Sequence, residues 1–566
     1  MDTSTIQRRR WTILGVLVVG LLAIVIDNTV LNVALKTIAS PVGGLGASQS
    51  QLEWAINSYT LVFAGLLFTF GVVGDRIGRK RVLIIGLALF GIGSLLSAYS
   101  HSPDQLIAAR AAMGLGGAAV MPQTLSIIAN VFEPHERAKA IGIWTSAVGI
   151  GVAIGPVLGG LLLTRFWWGS VFLINVPVTI AGAVAALILV PESRNPSPGK
   201  IDYLGVLGSV LGLVLVVFGV VQGGDGVPWL SAGVLGPLLG GLAVLALFVW
   251  HESRIEHPSL DVRLFKNRTL SASVGSIALL FFGMGGVYFF TSFYLQNVRG
   301  YSPLEAGALA VPFALAQFIM APRSAPLVDR FGVRAVGVAG MLLNAVAIAG
   351  FAFIGASSPI WIVALLFFIQ GAGLGLAVPA ATASIMQALP RERAGAGSAL
   401  SNTARQVAVA LSVAVLGSIL AEAYRSSLNP TLSRLPAAAR GAAGTSITAT
   451  QALAQQLGPA GRFLLAPAND AFVDAMRITT AIAAALAVVG AIAVARWMPG
   501  RQRPSAEEME VLIALEIEAA ERDLAMASAL GRGENAKSSQ MERSVVSPVP
   551  PTEPHRGVTY PPAPAR

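Results

Sequence analysis

The chain alternates between long apolar runs and short polar segments. An α-helix needs about 20 apolar residues to cross the hydrocarbon core of a bilayer. The pattern therefore predicts an all-α polytopic membrane protein with about fourteen spans on that length. These lie near residues 11 to 35, 54 to 73, 81 to 99, 104 to 130, 138 to 163, 169 to 190, 203 to 222, 229 to 250, 269 to 295, 303 to 328, 333 to 354, 358 to 386, 395 to 423 and 471 to 498. The first run lacks a small-residue cleavage site, so we interpret it as a retained span.

Composition agrees with this class of protein. Hydrophobic residues make up 54% of the 566 residues and charged residues 12%, whereas soluble domains average about 25% charged residues. The net charge of +10 could indicate nucleic acid binding, but the cations gather between apolar runs, as membrane topology requires. We therefore expect the lipid bilayer as a partner and no nucleic acid. The absence of cysteine excludes disulfides, thiolate metal sites and a cysteine nucleophile.

Lysine and arginine in alternate loops predict the orientation, because cytoplasmic loops carry an excess of these residues. The short loops on one side hold only Lys36, Arg165 and Arg299. The other side holds Arg8 to Arg10, Arg76, Arg79, Lys80, Arg81, Arg137, Lys139, Arg194, Lys200, Arg254, Arg263, Lys266, Arg268, Arg330, Arg334, Arg391 and Arg393. Both termini are therefore predicted to be cytoplasmic, with residues 1–10 as the N-terminal segment.

Three segments lie outside the spans of both halves. Residues 424–470 are polar and alanine-rich, and we expect an external loop with room for a short surface helix or hairpin. After the last span, Ser505 and Glu508 form a capping-box pattern before apolar residues at helical spacing, which predicts a cytoplasmic amphipathic helix over 499–531. Residues 532–566 are polar and rich in proline, a composition that predicts a disordered tail.

Three short motifs recur about 255 residues apart, which indicates an internal duplication. The pairs are GDRIGRKR at 74–81 with VDRFGVRA at 328–335, GLGGAAVMP at 114–122 with GAGLGLAVP at 371–379, and PHERA at 134–138 with PRERA at 390–394. The copies predict two six-helix bundles, over 11–190 and 269–498, and a two-helix insertion within 191–268. Two such bundles form the layout of major facilitator transporters, which bind substrate between the bundles at mid-bilayer.

The motifs also resemble the signatures of a known family. GDRIGRKR, with Gly74, Asp75, Arg76 and Gly78, resembles the loop signature of the major facilitator superfamily. GVAIGPVLGG at 151–160 resembles the antiporter signature of span 5, and DNTVLNVAL at 27–35 resembles the span 1 signature of fourteen-span drug:proton antiporters. The resemblance covers residues 8–500.

The resemblance implies a proton-coupled antiporter that exports small amphipathic or lipophilic compounds by alternating access. It implies no cofactor, with the proton gradient as the driving force, and we expect a monomer in a bacterial cell membrane. The second copy departs from the pattern, because Val328 replaces the glycine that matches Gly74, and residues 403–417 lack the Gly-Pro element. The antiporter device is therefore expected in the first bundle.

Asp27 is a carboxylate inside the first apolar run, where an ionised group costs roughly 2.5 to 3.5 kcal/mol. At 1.5 Å per residue, Asp27 lies about 12 Å and Arg110 about 9 Å from the predicted outer ends of their spans, in one layer of the first bundle. Burial and a nearby guanidinium act in opposite directions on the protonation of a carboxyl group. The pair is a candidate proton switch, which is also the role that the resemblance implies; the alternative is a static buried ion pair.

The loop at 74–81 combines tight-turn glycines with Asp75 and a cluster of cations, among them Arg79 and Lys80. Such groups can bind helix ends across the gap between bundles and stabilise one conformer. We predict a conformational gate here, with Asp329 and Arg330 as counterparts in the second copy. The alternative is anchoring of the topology by charge alone.

Span 5 places Gly151, Gly155 and Gly159 on one helix face, beside Pro156 and Gly160. Close packing against a partner helix is the simpler interpretation of this spacing. The resemblance adds the hypothesis that a bend at the proline shapes the bundle interface and opposes leak.

Span 9, the counterpart of span 1, is rich in aromatic residues and should border the cavity. Its ring side chains could bind planar apolar ligands, although packing or contact with lipid is the alternative. The predicted cavity residues are Asn28, Asn32, Tyr59, Gln123, Phe282, Tyr288, Phe289, Phe293, Gln317, Gln370, Asn402 and Arg405. Asp27 is the one acid that we expect to lie deep, since Glu305, Glu422, Asp470 and Asp474 are predicted near the outer surface.

Other functional classes lack support. The chain has no GxxxxGK[ST], HExxH or GxSxG motif, and its five histidines are scattered without ligand spacing. We therefore predict no enzyme and no metal site. Two alternatives to an exporter remain open, a proton-coupled importer of a small solute and a membrane sensor that does not transport.

Overall fold

The computed structural model describes residues 3–194, 202–255, 258, 260–389, 394–433, 435, 440–441 and 443–500, and within these ranges it contains helices and no strand. The helices are α1 Thr3–Ala39, α2 Gln49–Ile77, α3 Arg79–Ala98, α4 Pro103–Val131, α5 Pro134–Arg165, α6 Ser170–Leu173, α7 Asn175–Leu189, α8 Tyr203–Gly224, α9 Ala232–Glu252, α10 Arg268–Phe293, α11 Pro303–Ala308, α12 Val311–Phe331, α13 Val333–Phe351, α14 Ile360–Gln387, α15 Ala394–Leu432, α16 Ile447–Gln456 and α17 Leu465–Trp497. A π-helical turn, Tyr294–Val298, continues α10, and a 3-10 helix, Gly458–Leu464, precedes α17.

Thirteen helical segments in the described residues are long and apolar enough to cross a membrane. They correspond to thirteen of the predicted spans, and many extend beyond the predicted ends because helices continue past the hydrocarbon core. The predicted span at 138–163 lies within α5, of which Ile150–Arg165 forms a shorter apolar helix. The chain is therefore an all-α multi-pass membrane protein, and the count of fourteen spans stays a prediction.

Local sequence explains where several helices begin and end. Ser48 starts α2 with a capping box that it shares with Gln51, and Ser302 starts α11 with the same device. α2 and α12 both stop at a glycine with positive φ, 120° at Gly78 and 85° at Gly332, a conformation that glycine adopts readily. The two glycines occupy matching positions in the repeat, so the same sharp turn joins α2 to α3 and α12 to α13.

The inserted helix α8 packs against both bundles. Its Val210 lies over Gly65 of α2, and its Gly224 lies against Ser418 of α15, whose hydroxyl group donates to the carbonyl of Val220 at 3.0 Å. A small separate core joins the three helices and consists of Leu61, Val217, Val221, Ala410 and Ala414. The insertion therefore covers one side of the contact between the two bundles.

The two bundles meet near the C-terminal end of α1. The amide of Gln296 donates to the carbonyl of Val33 at 3.0 Å, and the hydroxyl of Ser292 donates to the carbonyl of Asn32. The ammonium group of Lys36 donates to the carbonyl of Gln296. We call this region, where α1 ends and α2 begins, the closed end.

The segment predicted as a long external loop contains regular structure. α15 continues to Leu432, and α16 and a 3-10 helix occupy much of the remainder before α17 begins at Leu465. The aromatic ring of Tyr424 is buried, and its hydroxyl group lies 2.7 Å from the hydroxyl of Thr450 on α16. The predicted amphipathic helix and the predicted disordered tail lie outside the described residues, apart from 499 and 500.

Candidate functional site

Asp27 and Arg110 form an ion pair inside the first bundle, and each is 1% exposed. α1 continues to Ala39, so Asp27 lies about 18 Å from the C-terminal end of its helix. The guanidinium of Arg110 donates through its Nη1 atom to Oδ2 of Asp27 and through Nε to the carbonyl of Ala55 at 3.1 Å. The pair thus joins α1, α2 and α4.

Aromatic and amide groups complete the surroundings of this pair. The guanidinium carbon of Arg110 lies 4.4 Å from the centre of the Tyr59 ring and 5.8 Å from that of Phe172. Asn175 of α7 donates to the free carboxylate oxygen of Asp27 at 3.0 Å and lies 3.1 Å from the hydroxyl of Ser94 on α3. Asn175 was not predicted as a site residue, since its only signal was an amide within an apolar run.

A buried ion pair constrains both partners strongly. Removing one member typically costs 3–5 kcal/mol, because an uncompensated charge remains in a low-dielectric site. A proton on Asp27 removes the negative charge without removing the side chain, and it leaves Arg110 to its contacts with Ala55 and Tyr59. Arg110 therefore has other contacts already in place when a proton on Asp27 breaks the ion pair.

A small cavity of about 30 Å³ lies between the bundles next to the closed end. Such a volume holds a water molecule, whereas drug-sized ligands need several hundred Å³. The lining residues are Thr29, Asn32, Val33, Pro156, Tyr288, Thr291, Ser292, Leu295, Ala306, Ala310 and Phe367. This lining contains polar hydroxyl and amide groups but no charged side chain, so the cavity is neutral and largely apolar.

Of the predicted cavity residues, Asn32 and Tyr288 lie in this lining. The Tyr288 ring packs edge-on against Phe313 with centroids 5.5 Å apart, and its buried hydroxyl group has no hydrogen-bond partner among the described residues. That hydroxyl is available to a ligand or a water molecule. Thr291, Ser292 and Phe367 also line the cavity and were missed by the sequence analysis.

Other predicted cavity residues have different positions in the structure. Asn28 donates to the hydroxyl of Tyr59 at 3.2 Å, which places both beside the ion pair. Gln123 donates to the carbonyl of Phe70 at 2.7 Å and lies against Gly74, in the contact between α2 and α4. Phe289 and Phe293 are 1% and 2% exposed and pack on each other, so the packing interpretation holds for these rings.

The remaining predicted cavity residues lie on α10, α12, α14 and α15 of the second bundle. The guanidinium carbon of Arg405 lies 4.6 Å from the centre of the Phe281 ring, and Phe282 and Gln317 are half-buried, as is Asn402. Gln370 is fully buried, and neither polar atom of its amide has a hydrogen-bond partner in the described part of the chain. None of these side chains is in the lining of the small cavity.

The glycines of α5 allow this helix to approach α1 closely. A Cβ added to Gly155 would collide with the hydroxyl of Thr29, and one added to Gly151 would lie 2.8 Å from Cγ1 of Val25. Gly159 faces Val30 in the same way, with a separation of 3.3 Å. The simpler interpretation of the glycine spacing, close packing against a partner helix, is therefore what the contacts show.

The next residues of α5 contact the second bundle. A Cβ added to Gly160 would lie 2.5 Å from Cα of Leu304, and the carbonyl of Pro156 lies against Gly307. α5 therefore packs on α1 with one face and on α11 with another, beside the closed end.

The loop between α2 and α3 is held within the first bundle. Arg79 pairs with Asp75 at 2.8 Å and donates to the carbonyl of Ser126 at 3.4 Å. Lys80 donates to the carbonyl of Leu187 at 2.7 Å, and the carboxylate of Glu192 lies directly over Gly78. These contacts tie the loop to the ends of α4 and α7.

The matching turn in the second bundle lacks this ion pair. Asp329 and Arg330 are exposed, and the guanidinium of Arg330 lies 5.2 Å from the Phe331 ring. Asp75 and Arg79 are four residues apart on the helix surface, whereas the residue four positions after Asp329 is Val333. The second copy therefore cannot form the same pair.

The buried carboxylate of Glu53 was not predicted from the sequence. Glu53 of α2 is 2% exposed and lies against Gly417 of α15. The prediction that Asp27 is the one deep acid stays a prediction, because Glu53 is buried close to the start of its helix. Although Glu53 lies near the end of its helix, α15 covers its side chain and separates it from water.

Comparison with known proteins identifies the class. The family model of the Major Facilitator Superfamily matches residues 17–413. The chain belongs to this superfamily, whose members are membrane transporters and not enzymes. Solved structures support the fold, since a bacterial homolog of the human lysosomal transporter Spinster, in an inward-facing and unoccupied conformation, superimposes with a TM-score of 0.60 at 19% identity, covering 88% of this chain and 99% of that chain.

Curated relatives point to drug efflux. The chain is 35% identical over 495 residues to the multidrug efflux pump LfrA of Mycolicibacterium smegmatis, covering 87% of this chain and 97% of the relative. It is 33% identical over 498 residues to the methyl viologen resistance protein SmvA of Salmonella typhimurium, covering 86% and 98%. It is 32% identical over 491 residues to the multidrug resistance protein Stp of Mycobacterium tuberculosis, covering 85% and 90%.

The ion pair in the first loop predicts unequal roles for the two matching acids. Asp75→Asn removes the partner of Arg79 in this turn, and we expect turnover to fall at least fivefold. Asp329→Asn removes no ion pair with any residue that the structure describes, and it should retain most of the activity. Efflux by equally expressed variants is the measurement, and equal losses in the two would contradict the assignment.

The contact between α1 and α5 predicts a steric effect at Gly155. Gly155→Ala should lower efflux about tenfold, because overpacking costs about 1–3 kcal/mol and separates two helices at the bundle interface. Gly15→Ala on α1 is the matched control, since no heavy atom lies within 4 Å of the added Cβ. Equal efflux by the two alanine variants would show that this contact tolerates a methyl group.

Proposed function

We propose that this transporter exports small amphipathic or lipophilic compounds in exchange for protons by alternating access. The observation that supports this most directly is the buried pair of Asp27 and Arg110, close to a neutral cavity between two bundles. The relatives named as efflux pumps and resistance proteins support the substrate class and, being bacterial, a plasma-membrane location. Proton coupling and antiport are our inference from the geometry.

α1 links the proton site to the substrate cavity. Successive residues turn by about 100° around a helix, so Asp27 and Thr29 lie on nearly opposite sides of α1. Asp27 faces α4 and α7, whereas Thr29, Asn32 and Val33 line the cavity. When a proton breaks the pair with Arg110, α1 loses its strongest contact within the bundle and can shift against α4, which changes the cavity on its other face.

The orientation sets the direction of this cycle. With both termini in the cytoplasm, the closed end of the bundles faces outward, and substrate enters from the inner side or from the inner leaflet. Opening of the closed end then exposes the cavity to the outside, where a proton replaces the substrate. A proton-coupled importer uses the same fold, but the motif at 151–160 favours exchange.

The coupling role of Asp27 predicts a separation of two activities. Asp27→Asn should abolish export against a gradient while keeping exchange down a gradient, because the substitution removes the titrating group and preserves the shape of the side chain. Efflux from energised and from de-energised cells measures the two activities, with Asp27→Glu as the control that retains a carboxyl group. Uphill export by the asparagine variant at the rate of the unmodified protein would exclude Asp27 as the proton carrier.

The neutral lining predicts a preference in ligand charge. An unpaired charge at mid-bilayer is costly, and Asp27 is occupied by Arg110, so neutral and monocationic lipophilic compounds should be exported faster than dications. Arg405 lies in the second bundle beside an aromatic ring, and it leaves open an anionic or phenolic substrate.

The test compares export of ethidium and of methyl viologen, an organic dication, from the same vesicles. Methyl viologen is chosen because the Salmonella relative is named a methyl viologen resistance protein. Faster export of methyl viologen would contradict the charge preference and would require a second carboxylate that reaches the cavity.

A further inference from the structure

Glu53 lies where the two bundles touch. It is in the second turn of α2, at the closed end, and is 2% exposed. A Cβ added to Gly417 of α15 would collide with the Oε1 atom of Glu53, so the carboxyl group lies directly against the backbone of the opposite bundle. The burial of Glu53 therefore depends on the closed arrangement of the bundles.

The polar surroundings of Glu53 do not compensate a negative charge. Its carboxyl group accepts one long hydrogen bond, from the amide of Gln49 at 3.4 Å, and no cation within the described ranges forms an ion pair with it. The charged residues on the elements packed around this region are Asp104 on α4, Asp225 after α8, and Glu422 and Arg425 on α15. Three of these four groups are acids.

The one cation in this set already has partners. Arg425 pairs with Glu422 at 3.0 Å and donates to the carbonyl of Gly224 at 2.7 Å. Burial raises the pKa of the neighbouring Asp225, against the opposing effects of a hydrogen bond from Ser50 and the charge of Arg425. Glu53 thus shares a partly buried region with a second carboxyl group.

We propose that Glu53 is a second proton-binding site, which holds a proton while the bundles are closed at this end and releases it when α15 moves away. An ionised carboxylate in the closed arrangement would be buried without a counter-ion, which is expensive. Separation of α2 from α15 admits water, and the ionised form then becomes favourable. Protonation from the outer side therefore favours closure. The proposal rests on the alternating access of the proposed function, and it adds a site that acts on closure rather than on the exchange at Asp27.

The absence of cysteine allows a direct test by spin labelling. Val42 follows α1, Phe353 follows α13, and both are 85% exposed at the closed end of different bundles. Labels on Val42→Cys and Phe353→Cys report the closed and open populations as two distances by pulsed electron paramagnetic resonance. The Asp27→Asn background removes the titration of the first site.

In that background, the ratio of closed to open molecules should fall as pH rises, by up to tenfold per pH unit for one proton. Glu53→Gln should abolish this dependence and keep the closed population high, because glutamine imitates the protonated acid. Glu53→Asp should retain a pH dependence. A ratio that does not vary with pH before the substitution, or that varies equally after it, would overturn the proposal.

A second pair of variants tests the contact without changing the acid. Gly417→Ala should lower the closed population, because the added methyl group displaces the carboxyl group, whereas Gly275→Ala on α10 has no heavy atom within 4 Å of its Cβ and should leave it unchanged. Equal populations in the two alanine variants would also overturn the proposal. These distances are measured without substrate, so they decide the role of Glu53 even if the protein proves not to exchange drugs for protons.

Discussion

The ion pair between Asp27 and Arg110 is the interaction on which the first bundle depends. Neither charge is stable alone at this depth, and together they draw α1 and α4 against each other. Asn175 and Ser94 extend the network to α7 and α3, and the carbonyl of Ala55 extends it to α2. One buried charge pair and its hydrogen-bond partners therefore connect five helices, and a proton on Asp27 would weaken the contacts of Asp27 with Arg110 and Asn175.

In the proposed mechanism, small residues transmit this local change to the second bundle. Gly151, Gly155 and Gly159 hold α5 against α1, while Gly160 and Pro156 hold it against α11. Because close-packed interfaces tolerate little deformation, α1 and α5 are expected to move as one body. The inserted helix α8 packs on α2 and α15 on another side of the same interface, so it moves with the bundles or resists their separation.

The sequence predicted features that depend on depth and missed those that depend on the direction of a side chain. Apolar run length gave the positions of the helices, and distances along the helices brought Asp27 and Arg110 into one layer. Spacing alone could not reveal that Phe289 and Phe293 turn into the bundle, or that Gln123 binds the carbonyl of Phe70. Glu53 was missed for the same reason, since its burial comes from α15, more than 350 residues away along the chain.

Substrate movement driven by an imposed pH gradient tests the central claim most directly. Purified protein in vesicles that are acidic inside should accumulate a labelled lipophilic monocation, as protons leave and substrate enters. Inverting the pH gradient should reverse the movement, and an ionophore that collapses it should abolish the movement. Accumulation that follows protons in the same direction, or that persists without a pH gradient, would contradict proton-coupled antiport.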